Sequence, residues 1–266
     1  MRSPEPAFDL RAALTKELRA ALEELDDVAD DAKAVHRCRV RLKRARALSR
    51  VGYVGAPGLS DVFNDSARAV MHALARARDV AALSETARKL ARKSKPKTAA
   101  ALSALAEALE VRAPQMDELN IETIRAGVKD LLALAQVWPE ASPRQIRRGA
   151  HRIIRRARRA RRRGWMSEQA ANRHEWRRRE KDRFYAASLL GGDWPRRRRL
   201  KLGARLGDIL GKERDTLLLL QFLEHSPHLA GTPKAAARAY SAVAGRARRL
   251  AARADAVGAL LHADGA

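Results

Sequence analysis

Apolar residues recur with helical spacing along almost the whole chain. Phe8, Leu10, Leu14, Leu18 and Leu22 follow one face of a helix, because residues three or four positions apart stack on the same side. No segment shows the sustained alternation of apolar and polar residues that marks a half-buried strand. The pattern therefore predicts an all-α protein.

The predicted helices are separated by short breaks rich in glycine and proline, which are the usual turn residues. The helices are expected at 8–28, 30–51, 59–76, 79–94, 98–112, 118–137, 143–163, 168–190, 196–210, 213–224 and 234–262. The breaks fall at 52–58, 95–97, Pro114, 138–143, 191–192 and 225–227. None of them has the length of a flexible linker between domains.

Two patches of sequence recur in the same order later in the chain. The segment His36–Lys43 is similar to His174–Lys181, 138 residues further on, and Arg78–Leu83 is similar to Arg214–Leu219, 136 residues further on. The shared order and nearly equal offsets favour a tandem duplication over chance. Each half then contributes about four helices, which is enough for one helical bundle.

The chain is strongly basic. It has 266 residues with 55 Lys and Arg, of which 43 are Arg, against 31 Asp and Glu, and its formal net charge is +24 at pH 7. Its hydrophobic fraction of 46% is that of a globular protein, so the charge does not indicate a disordered tail. Such a charge predicts a polyanionic partner, either nucleic acid, an anionic membrane or a phosphate polymer.

Several classes of protein are excluded by the cysteine count and the hydropathy. Cys38 is the single cysteine, so an intramolecular disulfide and a cysteine-rich metal site are both ruled out. The N-terminal residues lack the apolar region of a signal peptide, and no stretch approaches the roughly 18 apolar residues of a membrane span. We therefore expect a cytoplasmic protein that has no membrane partner.

The helix expected at 30–51 carries a ridge of basic side chains beside its apolar stripe. At 100° per residue, the ridge lies within about 80° of the direction of its first histidine. Its members are His36, Arg39, Lys43, Arg46 and Arg50. The apolar stripe through Cys38 and Leu42 lies roughly 100° from the ridge, so we expect the ridge to line a cleft. A third face, formed by Arg37, Arg41 and Arg44, is expected to be solvated.

Two further segments extend this basic pattern. The second copy of the ridge contains His174, Arg177, Arg178 and Lys181. The helix expected at 143–163 has one apolar stripe and eleven arginines without an acid, although like charges at i,i+4 destabilise an isolated helix. This helix therefore predicts a polyanion, and the planar guanidinium suits phosphate oxygens in particular. More cations follow at Arg196–Arg199, Lys201 and Arg205.

These duplicated motifs resemble the CHAD domain, the conserved histidine α-helical domain. In the first signature the matching positions are His36, Arg39, Lys43, Arg44 and Arg46. In the second they are His174, Glu175, Arg177, Arg178, Lys181 and Tyr185, preceded by an arginine-rich segment at 147–160. The sequence departs from the family pattern at His151, Glu180, Asp182 and Phe184, and the last three weaken the second signature as a binding site.

The resemblance implies one CHAD-like domain over residues 8–260. Its fold would be two tandem four-helix bundles related by pseudo-two-fold symmetry, with a basic cavity between them. The N-terminal half would span about 8–113 and the C-terminal half about 140–260, with an extra helix at about 118–137. Many relatives are fused to a CYTH-type triphosphatase domain, but no E-x-E-x-K motif occurs near the N-terminus, so we expect a stand-alone module.

The resemblance also implies that the protein binds inorganic polyphosphate and lies at polyphosphate granules. We expect no catalytic residue, cofactor or metal site. The expected ligands of polyphosphate are basic side chains from both halves: His36, Arg39, Lys43, Arg46, Arg78, Arg147, Arg148, Arg155, His174, Arg177, Arg178, Lys181 and Arg214.

Nucleic-acid binding is the main alternative. The charge allows it, and weak non-specific binding to DNA or RNA is expected at low salt. The sequence has no helix-turn-helix, zinc-finger or RNP motif, however, and its 4% of aromatic residues offers few platforms on which bases could stack.

An enzyme or a metalloprotein has less support. The segment Gly207–Glu213 resembles a phosphate-binding loop, but it lacks one spacer residue and the Ser or Thr that holds magnesium. None of the seven histidines has a partner at the i,i+4 spacing of a metal site. Asp79 and Asp215, each after an arginine, could bind a metal with phosphate, but a role at the start of a helix is favoured.

Overall fold

The protein is all-α, as the sequence predicts. A computed structural model describes residues 8–27, 33–74, 79–111, 120–167 and 169–263, and within these ranges it contains ten α-helices and no strand. The helices are α1 (Leu10–Asp26), α2 (Ala34–Val51), α3 (Pro57–Ala73), α4 (Asp79–Ala91), α5 (Pro96–Glu110), α6 (Ile121–Gln136), α7 (Pro143–Gly164), α8 (Ala170–Leu190), α9 (Leu200–His225) and α10 (Pro233–His262). Short 3₁₀ helices follow α2, α8 and α9. Arg78 and the expected break at Pro114 lie outside the described residues.

Local signals start many of these helices. The side chains of Asp9, Asn120 and Thr232 each accept a hydrogen bond from a backbone N–H in the first turn of α1, α6 and α10. Proline occupies the first turn of α3 and α5, where its missing N–H has no partner to lose. These starts are therefore encoded by neighbouring residues.

The two helices expected at 196–210 and 213–224 are one continuous helix, α9. Gly211 does not interrupt it, because a glycine inside a helix costs only about 1 kcal/mol relative to alanine. The helix buries Leu210 before this glycine and Leu219 after it, which offsets that cost. The segment that resembled a phosphate-binding loop is thus helical throughout.

The ends of α9 also differ from the prediction. Arg196–Arg199 precede the helix, in agreement with the unfavourable interaction between cations and the positive end of a helix dipole. Asp215 lies well inside α9, so a role for Asp215 at a helix start is wrong. Asp79, by contrast, is the first residue of α4.

The chain divides into two compact units. Unit 1 comprises Met1–Leu74, Leu119–Arg159 and Arg179–Leu200. Its core buries apolar side chains of α1, α2, α3 and α6 together with parts of α7 and α8. A Cβ atom at Gly149 would lie 1.9 Å from the backbone oxygen of Val51, so only glycine allows α7 to pass this close to the end of α2.

Unit 2 comprises Ala75–Glu118, Ala160–Arg178 and Lys201–Ala266. One of its apolar clusters joins α4 and α5 to parts of α9 and α10, and another surrounds the fully buried ring of Trp176. Each unit draws on both halves of the sequence, so the contacts group the helices in a different way from the order of the repeat. The tandem duplication itself stays a prediction.

Cys38 faces the core, as its position in the apolar stripe predicts. Its side chain is fully buried, and this burial raises the pKa of the thiol to about 12. The thiol therefore stays protonated and unreactive at neutral pH. Among the described residues, no helix combines the length and the apolar character needed to span a membrane.

Candidate functional site

A cavity of about 320 Å³ in unit 2 is lined by three of the expected ligands. His174 and Arg177 are three residues apart on α8 and therefore share a face of that helix, while Arg214 comes from α9. The fold thus brings together two positions of the second signature and the arginine of the second Arg-Asp pair. We call this the His174 cavity.

The arginines of the cavity act on the histidine. Burial lowers the pKa of His174, and the positive charges of Arg214, Arg177 and Arg178 lower it further, while Glu175 opposes them. The imidazole is therefore neutral at pH 7, and an anion bound beside it would raise its pKa.

Arg173 holds the wall of the His174 cavity in place. Its Nε and Nη2 donate to the two carboxylate oxygens of Glu213 at 2.7 and 2.9 Å. Its Nη1 donates to Asp255 at 2.6 Å and to the backbone oxygen of Gly164 at 2.8 Å. Burial opposes its charge, but the bonds to the two carboxylates outweigh that penalty and raise the pKa of Arg173. These bonds tie α8 to α9 and α10.

Sequence reasoning missed Arg173 because its partners are 40 and 82 residues away. No spacing rule connects residues at such distances. The sequence shows only that Arg173 directly precedes the signature histidine. The structure places it on the buried side of the same helix.

The ridge on α2, in unit 1, is covered in part by α3. His36 is exposed, whereas Arg39, Lys43 and Arg46 are half-buried. Nη1 of Arg39 donates to the backbone oxygen of Met71 at 2.8 Å, and Arg46 contacts α3 as well. These bonds fix the orientation of the guanidinium groups at the edge of the core.

The third face of α2 is only partly solvated, because its arginines pair with acidic side chains of α1. Arg44 donates to Glu17 at 2.7 Å, and Arg41 lies 3.5 Å from the same carboxylate, which is only 3% exposed. Arg37 forms an ion pair with Glu24. The reason is that α1 packs along this face and supplies the counter-charges, which the pattern of α2 alone does not reveal.

A second group of cations in unit 1 surrounds one carboxylate. We call it the Asp182 cluster, and its members are Arg50, Arg152, Arg156, Arg179 and Asp182. Asp182 accepts from Arg50 at 2.9 Å and from Arg179 at 3.3 Å. Burial, followed by the charges of Arg179, Arg152 and Arg50, lowers the pKa of Arg156 to about 10, and Asp182 alone opposes the effect. The cluster thus holds four cations against one anion.

The three expected polyphosphate ligands on α7, which are Arg147, Arg148 and Arg155, are exposed. Arg147 and Arg155 lie on either side of His151, and the pKa of that histidine is lowered by burial and then by Arg196, Arg155 and Arg147. Arg148 is also exposed, but it is not among the charges that act on His151. Arg196, which belongs to the cationic run before α9, therefore acts on the same histidine as the arginines of α7.

The remaining expected ligands have separate positions. Arg178 is exposed on α8 with Glu175 at 3.6 Å. Lys181 is half-buried and belongs to unit 1, with its Nζ 5.9 Å from the ring centre of Tyr185. Glu180 is buried and accepts a hydrogen bond from Arg183 at 2.8 Å.

The helical fold and its basic, histidine-containing helices define the class of this protein. The pattern of the CHAD domain family matches residues 12–224, and the chain belongs to this family. The crystal structure of the CHAD domain from the plant Ricinus communis is similar in fold, with a TM-score of 0.62 and 22% sequence identity over 99% of this chain and 96% of that chain. No curated protein matches the sequence.

Proposed function

We propose that this protein binds long-chain inorganic polyphosphate, catalyses no reaction on it, and associates with polyphosphate granules. One observation carries the proposal: the folded chain holds cationic groups beside one another in three places. The pKa values of His174, His151 and Arg156 are all lowered by burial and by neighbouring arginines. Holding like charges together costs free energy, and a bound polyanion would recover it.

The depth of these cations favours a thin phosphate chain over a nucleic acid. Arg177 and Arg214 are half-buried in the His174 cavity, and Arg156 is half-buried in the Asp182 cluster. The phosphates of a duplex lie on the outside of a wide cylinder, so they reach exposed side chains more readily than half-buried ones. A polyphosphate chain carries no bases or sugars and can follow the guanidinium groups inward. Membership of the CHAD family supports the same reading.

Competition binding tests this proposal. Labelled long-chain polyphosphate is bound to the full chain and challenged with equal phosphate concentrations of unlabelled polyphosphate, duplex DNA, single-stranded RNA or ATP. We expect only polyphosphate to displace the label efficiently, with an affinity that rises with chain length because added contacts are intramolecular. Equal displacement by RNA or DNA would favour nucleic-acid binding, and release of orthophosphate in the presence of magnesium would establish an enzyme.

Polyphosphate affinity is expected to increase as the pH falls from about 8 to 6. The pKa of His174 lies below its ordinary value of 6.5 in the free protein and rises when an anion binds, so binding takes up a proton. The charges that act on this histidine are those of Arg214, Arg177, Arg178 and Glu175. Arg173 and Glu213 line the same cavity.

Titration calorimetry at several pH values measures this proton uptake. The variant His174→Gln should lose part of the pH dependence, whereas His72→Gln, which removes an exposed histidine on α3, should keep it. An unchanged pH profile in His174→Gln would show that this histidine does not contact the polyanion.

The substitution Asp182→Asn is expected to raise the affinity for polyphosphate about tenfold. It removes the single carboxylate of the Asp182 cluster without changing its shape, and one charge at close range contributes on the order of 1 kcal/mol or more. The same variant should melt at a lower temperature without ligand, because buried Arg50 would then lie against a neutral amide and not against the carboxylate 2.9 Å away. Polyphosphate should then stabilise the variant more than the wild-type protein.

Thermal melts with and without polyphosphate measure this effect, alongside direct binding. Asp65→Asn is the matched control, since it removes an exposed carboxylate that pairs with Arg68 on the surface. An affinity of Asp182→Asn equal to or below that of the control would exclude the Asp182 cluster from polyphosphate binding.

A further inference from the structure

The lining of the His174 cavity contains two chemically different sets of side chains, and each set includes residues of α8 and of α9. The first set, here called the cationic wall, consists of Arg177 and Arg214 together with His174. The second set, here called the apolar wall, consists of Ala170, Ala171, Leu210, Leu217 and Leu218. A polyphosphate chain presents only phosphate oxygens, so it gains nothing from the apolar wall. A ligand with an apolar part would gain affinity from the apolar surface that it buries there.

The apolar wall is more than the edge of the core. Leu217 and Leu218 are half-buried on α9, and within the described residues they belong to neither of the buried apolar clusters of unit 2. Their side chains line the cavity instead. Because these two adjacent leucines line the same cavity as two arginines, the cavity is an amphipathic site.

The cavity places two arginines where one phosphate group could lie. Arg173 also lines it, but Glu213 and Asp255 both hold its guanidinium, so Arg173 adds no net positive charge. Arg214 lies 3.5 Å from Asp215 in an ion pair that is about one third exposed and therefore weakly coupled. Arg177 and Arg214 both line the cavity, and the neutral His174 beside them adds a hydrogen-bonding group.

We propose that the His174 cavity binds small phosphate monoesters whose organic part is apolar, such as a short alkyl chain or one aromatic ring. The dianionic phosphate would lie against Arg177 and Arg214, and the apolar part against Leu217 and Leu218. The volume of about 320 Å³ is at the lower end of ligand cavities, which limits the ligand to a small molecule. Such a ligand would compete with polyphosphate for Arg177 and Arg214, so this inference rests in part on the same two arginines as the proposed function.

Hexyl phosphate, orthophosphate and 1-hexanol are suitable probes for calorimetry on the full chain. We expect hexyl phosphate to bind at least about tenfold more tightly than orthophosphate, because burial of its alkyl chain against the leucines adds a hydrophobic contribution that orthophosphate lacks. We expect no binding of 1-hexanol, which lacks the charge. Hexyl phosphate should also displace part of a bound polyphosphate chain.

Two variants test the contributions of the apolar wall and of the cationic wall separately. Leu217→Asn combined with Leu218→Asn should remove the advantage of hexyl phosphate over orthophosphate while long-chain polyphosphate binds as before. Arg214→Gln should weaken the binding of hexyl phosphate and of polyphosphate alike. The control Leu260→Asn, which changes an exposed leucine on α10, should alter neither, and circular dichroism verifies that each variant is folded.

The outcomes distinguish this inference from the proposed function. If hexyl phosphate binds no more tightly than orthophosphate, or keeps its advantage in the double leucine variant, the inference is overturned, whatever polyphosphate does. If hexyl phosphate behaves as expected while polyphosphate does not bind, the cavity is a site for small monoesters and the proposed function fails.

Discussion

The double substitution Arg177→Gln and Arg214→Gln is expected to lower the affinity for long-chain polyphosphate by roughly 100-fold or more. Each arginine would lose hydrogen bonds to charged phosphate oxygens, which contribute about 1.5–3 kcal/mol apiece. Both side chains line the His174 cavity, so the loss is local and does not depend on the total charge of +24.

Salt dependence gives a second readout of the same variant. A plot of log affinity against log salt concentration loses about one unit of slope for each cation that no longer contacts phosphate, so we expect the slope to fall by about two. Affinity measured between low and physiological salt supplies both quantities in one experiment.

The matched control is Arg248→Gln combined with Arg253→Gln, two exposed arginines on α10 in the same unit. It lowers the net charge by the same amount, and we expect only a severalfold loss of affinity. Equal losses in the two double variants would show that bulk charge alone binds the polymer. Arg37, Arg41 and Arg44 are unsuitable as controls, because their ion pairs with α1 stabilise the fold.

The substitution Arg173→Met is expected to destabilise the protein by about 3–5 kcal/mol. It leaves Glu213, which is 4% exposed, as a buried carboxylate without its bidentate partner, and it also removes the 2.6 Å bond to Asp255. Urea-induced unfolding followed by circular dichroism measures the loss. A cost below about 1 kcal/mol would show that the buried network is not a main support of unit 2.

A compensating variant identifies the physical cause. Arg173→Met combined with Glu213→Met removes both charges, so it should recover a large part of the lost free energy of unfolding. The control Arg178→Met changes an exposed arginine on the same helix and should cost about 0.5 kcal/mol or less. No recovery in the double variant would assign the loss to packing or to Asp255, which also loses Arg173, and not to the unpaired carboxylate of Glu213.

Several features of the candidate site were predictable from the sequence. The spacing of His174 and Arg177 places both on one face of a helix, and the repeat adds Arg214 as a candidate. The structure brings these three to one cavity. The position of a cation along the chain does not reveal which carboxylate pairs with it, however, so only the structure shows that Arg41 and Arg44 contact Glu17.

The sequence by itself determined the all-α class, most helix starts and the buried position of Cys38. These features depend on the helical period of 3.6 residues and on capping within one turn, so the information lies in neighbouring residues. Even there, the leucines on both sides of Gly211 overrode a local break signal in α9, because burial outweighs a glycine penalty of about 1 kcal/mol.

Only the tertiary structure decided which charges meet. Arg50 contacts Asp182 across 132 residues of sequence, and Arg173 contacts Glu213 and Asp255 across 40 and 82 residues. The set of residues that line the His174 cavity also depends on the tertiary structure, because leucines of α9 and residues of α8 meet at one cavity only after the helices pack. Electrostatic and hydrophobic contacts act between neighbours in space, so the pairing of distant residues follows from packing and not from spacing along the chain.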